Sequence, residues 1–190
     1  MAHAYIKDAM ANALKDLSKR KSIQKITISD IVSECGISKQ SFYNHFKDKN
    51  DLIVYTCTSE ARRNLKDAMK EGRNYKEAIM HYYKNSLPLK HFYRSFIHEP
   101  DLQILLFNLV AEFSREYMVK QIEYHYGKGK ITPELNLVIR FNSSGNAQLF
   151  IDWMMGNMET APEIMASVNF ACIPEPLKNY FNCEEINAII

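Results

Sequence analysis

The stretch "GISKQSFYNHF", Gly36 to Phe46, decides how this chain folds. Gly36 accepts a left-handed conformation at little cost and so stops a helix. Ser38 is a natural N-cap and starts another helix almost at once. Phe42 and Phe46 are four residues apart and share one face of that helix. Ile37 before the cap and Phe42 at the fourth helical position make a hydrophobic staple, which fixes the entry angle of the chain. Lys39, Gln40 and Ser41 are left at the polar, leading tip.

The same grammar extends upstream. Thr27 is the expected cap of a second helix, Thr27 to Cys35, with Asp30 completing a capping box and Ile26 and Ile31 stapling it. Ile28, Ile31, Val32 and Cys35 form its apolar stripe. A first helix is expected over residues 4–20, because Ile6, Ala9, Met10, Ala13, Leu14 and Leu17 recur at helical spacing. Arg20 and Lys21 fall at its C-terminal end, where the helix dipole favours positive charge.

Downstream, Asp48 caps a fourth helix, with Asp51 at the third position and Leu52 at the fourth, running to about Met69. After Gly72 the pattern is longer and more apolar. Helices are expected over Tyr75–Ser86, over Leu87–His98 with Pro88 in the first turn, over Asp101–Tyr126, and over Pro133–Met155 stopped by Gly156. Thr160 and Glu163 read as a capping box opening a last helix to about Phe170, which resumes after Pro174 and Pro176. No stretch alternates with period two. The fold class is therefore all-α, about nine helices. The expected division is an N-terminal domain, residues 1–50, a connecting helix, 51–72, and a longer C-terminal domain, 73–190.

Charge supports two jobs. The 190 residues carry a net charge of only +2, yet residues 1–50 hold nine basic and five acidic side chains. A basic head on a mildly acidic body is the balance of a chain whose head meets polyanions. The apolar share of 46% is that of a globular protein. The cysteines (Cys35, Cys57, Cys172 and Cys183) form no Cys-x-x-Cys pair, and no apolar run approaches a membrane span. The expected compartment is the cytoplasm, with the cysteines as small buried apolar residues and no membrane partner.

Two helices joined by a three- to four-residue turn containing Gly are a helix-turn-helix. The second helix of such a unit offers its first turn to double-stranded DNA. Lys39, Gln40 and Ser41 are the expected base readers, since Lys pairs with guanine O6/N7 and Gln with adenine N6/N7. Tyr43, Asn44, His45 and Lys49 are placed to meet phosphates, and Thr27 and Ser38 bring hydroxyls to the same backbone.

The body is crowded with aromatics. Tyr83, Phe92, Phe96, Phe107, Phe113 and Tyr117 are the candidates for an effector pocket between helices, although an aromatic-rich core explains each of them equally. His91 and His98 share a face but have no third ligand, so no metal and no cofactor is expected. Glu112 and Glu116 lie beside Arg115, as on a solvated stripe. The chain has no His-Glu-x-x-His and no Gly-x-Ser-x-Gly motif, so an enzyme in a helical bundle is only a distant alternative. Small residues from Asn142 to Ala147, and Met154, Met155, Met158 and Ile164 after them, suit either intrachain packing or a second copy of the chain.

The run "TISDIVSECGISKQSFYNHFKDKNDL", Thr27 to Leu52, resembles the DNA-binding domain of TetR-type (TetR/AcrR) transcriptional regulators. The match is carried by Thr27, Ile31-Val32, Cys35-Gly36-Ile37, Ser38, Tyr43, His45-Phe46, Lys49 and Leu52, and covers about residues 4–65. One position departs: relatives often carry Gly two residues after the Ser, where this chain has Gln40. "FIDWMMGNMETAPEIMASV", Phe150 to Val168, resembles the eighth and ninth helices of such regulators. The resemblance implies a homodimer formed through those helices, here Ser144, Gly145, Phe150, Trp153, Met154, Ile164 and Val168. It also implies a palindromic operator and an effector site in the body. The expected sign is repression; the alternative is an activator whose body binds a partner protein instead of a small molecule.

Overall fold

A computed structural model of the chain describes residues 2–70 and 74–181. Cys183 lies outside the described residues, as does Gly72. Among the described residues every regular element is helical: α1 (Ala2–Ser18), α2 (Ile28–Cys35), α3 (Lys39–Tyr43), α4 (Lys49–Lys70), α5 (Tyr75–Ser86), α6 (Lys90–Arg94), α7 (Pro100–Tyr126), α8 (Pro133–Met155), α9 (Pro162–Ala171) and α10 (Glu175–Lys178), with short 3-10 turns at Ile23–Lys25 and Leu87–Leu89. Nine of these helices have five residues or more, and α10 has four.

The caps follow the local chemistry. At α2, Asp30 N–H donates to Thr27 Oγ1 at 3.2 Å and Thr27 N–H donates to Asp30 Oδ2 at 2.7 Å, the reciprocal capping box. Gly36 ends α2 in the left-handed region at φ +68°, where a residue with a Cβ pays steric strain. Ser41 N–H donates to Ser38 Oγ at 3.1 Å to open α3, and Asp51 N–H donates to Asp48 Oδ1 at 2.9 Å to open α4. Asn74 and Glu77 form a further capping box at α5.

Several boundaries differ from the sequence expectation. The helix expected over Leu87–His98 is a 3-10 turn, Leu87–Leu89, followed by the five-residue α6, which ends at Arg94. The first helix stops at Ser18, and Arg20 and Lys21 leave the dipole to pair with Glu34 at 2.6 Å and Asp30 at 2.7 Å, tying the end of α1 to α2. Thr160 does not cap α9: Ala161 occupies that position, and the Thr160 carbonyl accepts the Trp153 indole N–H at 2.8 Å. Gly156 closes α8 with a negative φ, and the left-handed positions of the reversal are Asn157 (φ +62°) and Met158 (φ +52°).

Packing follows from the stripes. Met10, Leu14, Ile26, Ile31, Phe42 and Leu52 are fully buried and form the centre of the N-terminal helix cluster. The same apolar core runs on without a break through Phe92, Phe96, Phe150, Trp153 and Met154. A second cluster, around Met118, Ile122, Ile139, Phe170 and Leu177, fills the far end. The long α7 and α8 pack along each other, α5 lies on α9, and α4 lies on α7. The helix that begins at the DNA-binding head therefore ends inside the body.

Candidate nucleic-acid interface

Helix α3 is short, so its position depends on its anchors. Phe42 is 0% exposed, and its ring stands 5.9 Å from Phe46, which in turn meets Tyr55 of α4 at 5.3 Å. Lys7 of α1 stacks its ammonium over both Phe46 and Tyr55, at 5.3 and 5.4 Å. Tyr55 Oη donates to Asp8 Oδ1 at 2.8 Å; burial and this bond push the phenol up to about 12. The back of α3 is thus held to α1 and α4 by aromatic contacts.

Its front is open. Lys39, Gln40, Tyr43 and Asn44 are exposed, and Ser41 and His45 are half-buried. Gln40 Nε2 donates to Asn44 Oδ1 at 3.2 Å, one turn along, so the two amides form a pre-set pair on the outer face. Among the described residues no carboxylate lies within ion-pair distance of Lys25, Lys39 or Lys47, whereas Arg20 and Lys21 are neutralised by partners on α2. The uncompensated positive charge of the head therefore includes α3 and its flank.

Three of the expected DNA contacts stand differently. Lys49 turns inward and donates Nζ to the carbonyls of Ile23 at 2.6 Å and Ile26 at 2.8 Å; burial lowers its pKa. It closes the 3-10 turn before α2 instead of pointing at solvent. The Thr27 hydroxyl donates to Asp30 Oδ2 at 2.8 Å while accepting from Asp30 N–H, so its hydrogen-bonding capacity serves the cap. Asp30 itself is held well below the ordinary carboxylate range, chiefly by Lys21 and then by the Thr27 backbone and hydroxyl. The Ser38 hydroxyl likewise serves as the cap of α3.

A cavity of about 90 Å³ opens in the body between α4, α5, α7, α8 and α9. Tyr83, Phe113 and Tyr117, three of the six aromatic candidates, line it. Phe92 and Phe96 do not: both are 1% exposed in the core beside Tyr93, and Phe107 packs against that core outside the cavity. Sequence reasoning missed the polar part of the lining, Asn64, Tyr75, Ser114, Asn146 and Asn169, and also apolar wall residues such as Val110 and Phe150. A signal for Asn64 was present. Thr56, Glu60 and Asn64 follow Leu52 at four-residue steps, so polar side chains continue along the buried face of α4.

The expected dimer surface also divides. Ser144, Gly145, Ile164 and Val168 are exposed, but Phe150, Trp153 and Met154 are 1%, 4% and 0% exposed within the single chain. Phe150 meets the rings of Tyr82, Tyr83 and Tyr93, so these three residues build the core and are not available to a partner. Among the described residues there is no cluster of three or more metal-ligating side chains, and no helix is long and apolar enough to cross a membrane.

A short capped helix, pinned from behind and open in front at the head of an all-helical chain, defines a helix-turn-helix protein. Residues 12–56 match the family model described as "Bacterial regulatory proteins, tetR family", so the N-terminal quarter of the chain is similar to the DNA-binding domain of TetR-type regulators. Over 41 residues, 22% of this chain and 14% of the relative, it is 49% identical to the uncharacterized HTH-type transcriptional regulator YerO of Bacillus subtilis (strain 168). Over 58 residues, 30% of this chain and 31% of the relative, it is 29% identical to the HTH-type dhaKLM operon transcriptional activator DhaS of Lactococcus lactis subsp. lactis (strain IL1403). These matches span less than a third of either relative.

The fold likeness is broader. The solved dihydroxyacetone kinase operon activator DhaS superposes with a TM-score of 0.69 at 15% identity, covering 91% of this chain and 96% of that one. The TetR family repressor AlkX from Dietzia sp. strain DQ12-45-1b, implicated in biodegradation of n-alkanes, gives 0.58 at 15% identity, covering 92% and 96%.

Proposed function

We propose that this chain is a homodimeric regulator that reads a palindromic operator through α3 and whose hold on DNA is set by a small molecule in the body. The observation that carries the reading is the outer face of α3. Lys39, Gln40 and Asn44 project from a helix whose inner face is locked by Phe42, next to lysines without a nearby carboxylate. Gln40 and Asn44 offer amide donors and acceptors suited to adenine, and Lys39 suits guanine. Lys25, Lys39 and Lys47 supply charge for phosphate contacts. Lys49 belongs to the scaffold.

Selection of bound duplexes from a random pool tests this directly, and a two-fold repeated consensus is the expected result. On that consensus, Lys39→Ala and Gln40→Ala each weaken binding by about 1–3 kcal/mol and relax preference at one base position per half-site. Equal losses on consensus and random DNA would remove these side chains from base reading.

The second copy is proposed to sit on the outward face of α8 and α9. Leu137 and Phe141 are 63% and 78% exposed, and Ile164 and Val168 are 56% and 44% exposed. Apart from the adjoining backbone of its own helix, no atom of the described residues lies within 4 Å of where a Cβ on Gly145 would stand, so another helix has room to approach. Phe141→Asp is expected to convert a dimeric mass in light scattering to a monomeric one and to lower operator affinity. A monomeric mass for the unaltered chain at micromolar concentration would contradict the model.

A second reading is favoured by one observation. The activator DhaS superposes on this chain with the TM-score of 0.69, against 0.58 for the repressor AlkX. It makes the chain an activator whose body answers to a partner protein. Transcription from the selected operator, with and without the chain, separates the two signs.

A further inference from the structure

The cavity in the body carries chemistry that narrows what it can hold. This step rests on the reading of the cavity as the effector site. Six aromatic rings wall it, including Tyr75, Tyr82, Phe113 and Phe150. No Asp, Glu, Lys, Arg or His lines it. Side chains that can carry positive charge stand behind the wall. The Arg62 guanidinium covers the Phe113 ring at 5.7 Å, and His81 reaches the cavity only through Asn85, which bonds Asn64. Burial raises the pKa of the Tyr82 and Tyr83 phenols, in an environment that disfavours negative charge.

The polar groups that remain are amides from three different helices. Asn64 on α4 accepts from Asn85 Nδ2 at 2.8 Å through Oδ1, which leaves its own NH2 as a donor. Asn169 on α9 spends Nδ2 on Tyr83 Oη at 2.9 Å and on the Met165 carbonyl at 3.2 Å, which leaves Oδ1 as an acceptor. Asn146 on α8 spends Nδ2 on Tyr75 Oη at 3.0 Å and Ser114 Oγ at 3.2 Å, which leaves a second acceptor. Among the described residues, no buried side-chain nitrogen or oxygen sealed from solvent or cavity lacks a partner. The open amide valences therefore belong to groups with access to the cavity or to solvent.

We infer that the cavity takes a small, flat, uncharged molecule that both accepts and donates a hydrogen bond, as a carboxamide or an alcohol on an aromatic ring does. A carbonyl would receive the Asn64 amide, and an N–H or O–H would reach Asn169 or Asn146. The space admits about six to nine water-sized groups, a single substituted ring. A carboxylate or an ammonium would enter without a counter-charge and lose its water.

Four probes of matched shape test this on the full-length chain: benzamide, benzyl alcohol, benzoate and benzylammonium. Thermal unfolding and titration calorimetry follow binding, and retention of the selected operator is followed separately. The expected result is binding of benzamide and benzyl alcohol, with benzoate and benzylammonium weaker by roughly 100-fold or undetectable. Asn169→Leu is expected to weaken benzamide by about tenfold. Ala78→Phe, which fills the cavity from α5, should abolish binding; because this site is tight, Ser114→Leu serves as a second filler.

Equal or tighter binding of either charged probe overturns the inference, and so does failure of both neutral probes to bind. The reading of the cavity as a control site fails differently. Neutral probes would then bind, and be blocked by the fillers, without changing operator retention.

Discussion

Phe42→Ala is expected to lower the stability of the N-terminal helix cluster by about 3–5 kcal/mol, the cost of deleting a fully buried ring and leaving a cavity. Phe42 is 0% exposed and touches Phe46 and Tyr43 at 5.9 and 5.6 Å. Helix α3 has only five residues, too few to hold itself in water. Its helical state and its orientation come from this one anchor and from the Ser38 cap. Operator affinity should therefore fall to the level of random DNA, although Phe42 faces away from the proposed DNA surface. Phe42→Leu keeps most of the volume and should cost less than about 1.5 kcal/mol. Urea unfolding and operator titration of both variants check the pair. Full operator affinity in Phe42→Ala would show that α3 is held by something else.

The second large effect lies between head and body. Lys15 Nζ of α1 meets Glu60 Oε1 of α4 at 2.5 Å, with side-chain exposures of 15% and 11%. Glu60 Oε2 also takes Arg63 at 3.1 Å. Removing one partner of a buried pair strands the other charge, which costs about 3–5 kcal/mol when burial is complete. Because both side chains keep some water here, Glu60→Gln is expected to cost roughly 2–4 kcal/mol.

Lys15→Met combined with Glu60→Leu should recover most of that loss, because no buried charge is left without a partner, Arg63 being 56% exposed to water, and the apolar pair still packs. Denaturant unfolding of Lys15→Met, of Glu60→Leu and of the double variant measures the coupling. A Glu60→Gln chain within about 0.5 kcal/mol of the parent would mean that the pair contributes nothing measurable, as exposed pairs do. Glu60 stands one turn before the cavity residue Asn64 on the same face of α4. The same variants therefore report whether α4 grips the head firmly enough to carry a signal from the cavity.

The helix-turn-helix was legible because its determinants are local. Thr27 with Asp30, Ser38 with Ser41, and Asp48 with Asp51 each satisfy backbone N–H groups within four residues. Gly36 sits where only a left-handed residue closes α2. Staples such as Ile26 with Ile31 repeat at a spacing that any helix imposes. Exposure of Lys39 and Gln40 follows from burial of Phe42 on the opposite face. Local chemistry misled at Thr160, by side chain a far better cap than Ala161, because its carbonyl accepts the Trp153 indole N–H from the preceding helix and Ala161 takes the cap position with no side-chain bond.

By itself, then, the sequence determined the all-helical class, the order of the helices, the capped turn at Gly36 to Ser38 and the likeness of the head to TetR-type DNA-binding domains. These depend on hydrogen bonds and periodicities that span a few residues. Only the tertiary structure decided the rest. Lys49 looks like a surface cation until the carbonyls of Ile23 and Ile26 arrive beside it. Phe150, Trp153 and Met154 carry an apolar stripe that a partner or the chain's own α5 and α6 would cover equally well, and the fold assigns it to the chain. Asn146 and Asn169 carry no signal along the sequence, and with Asn64 they put amides into one cavity only when α4, α8 and α9 converge. Burial is a sum over distant segments, and no local pattern states which segments those will be.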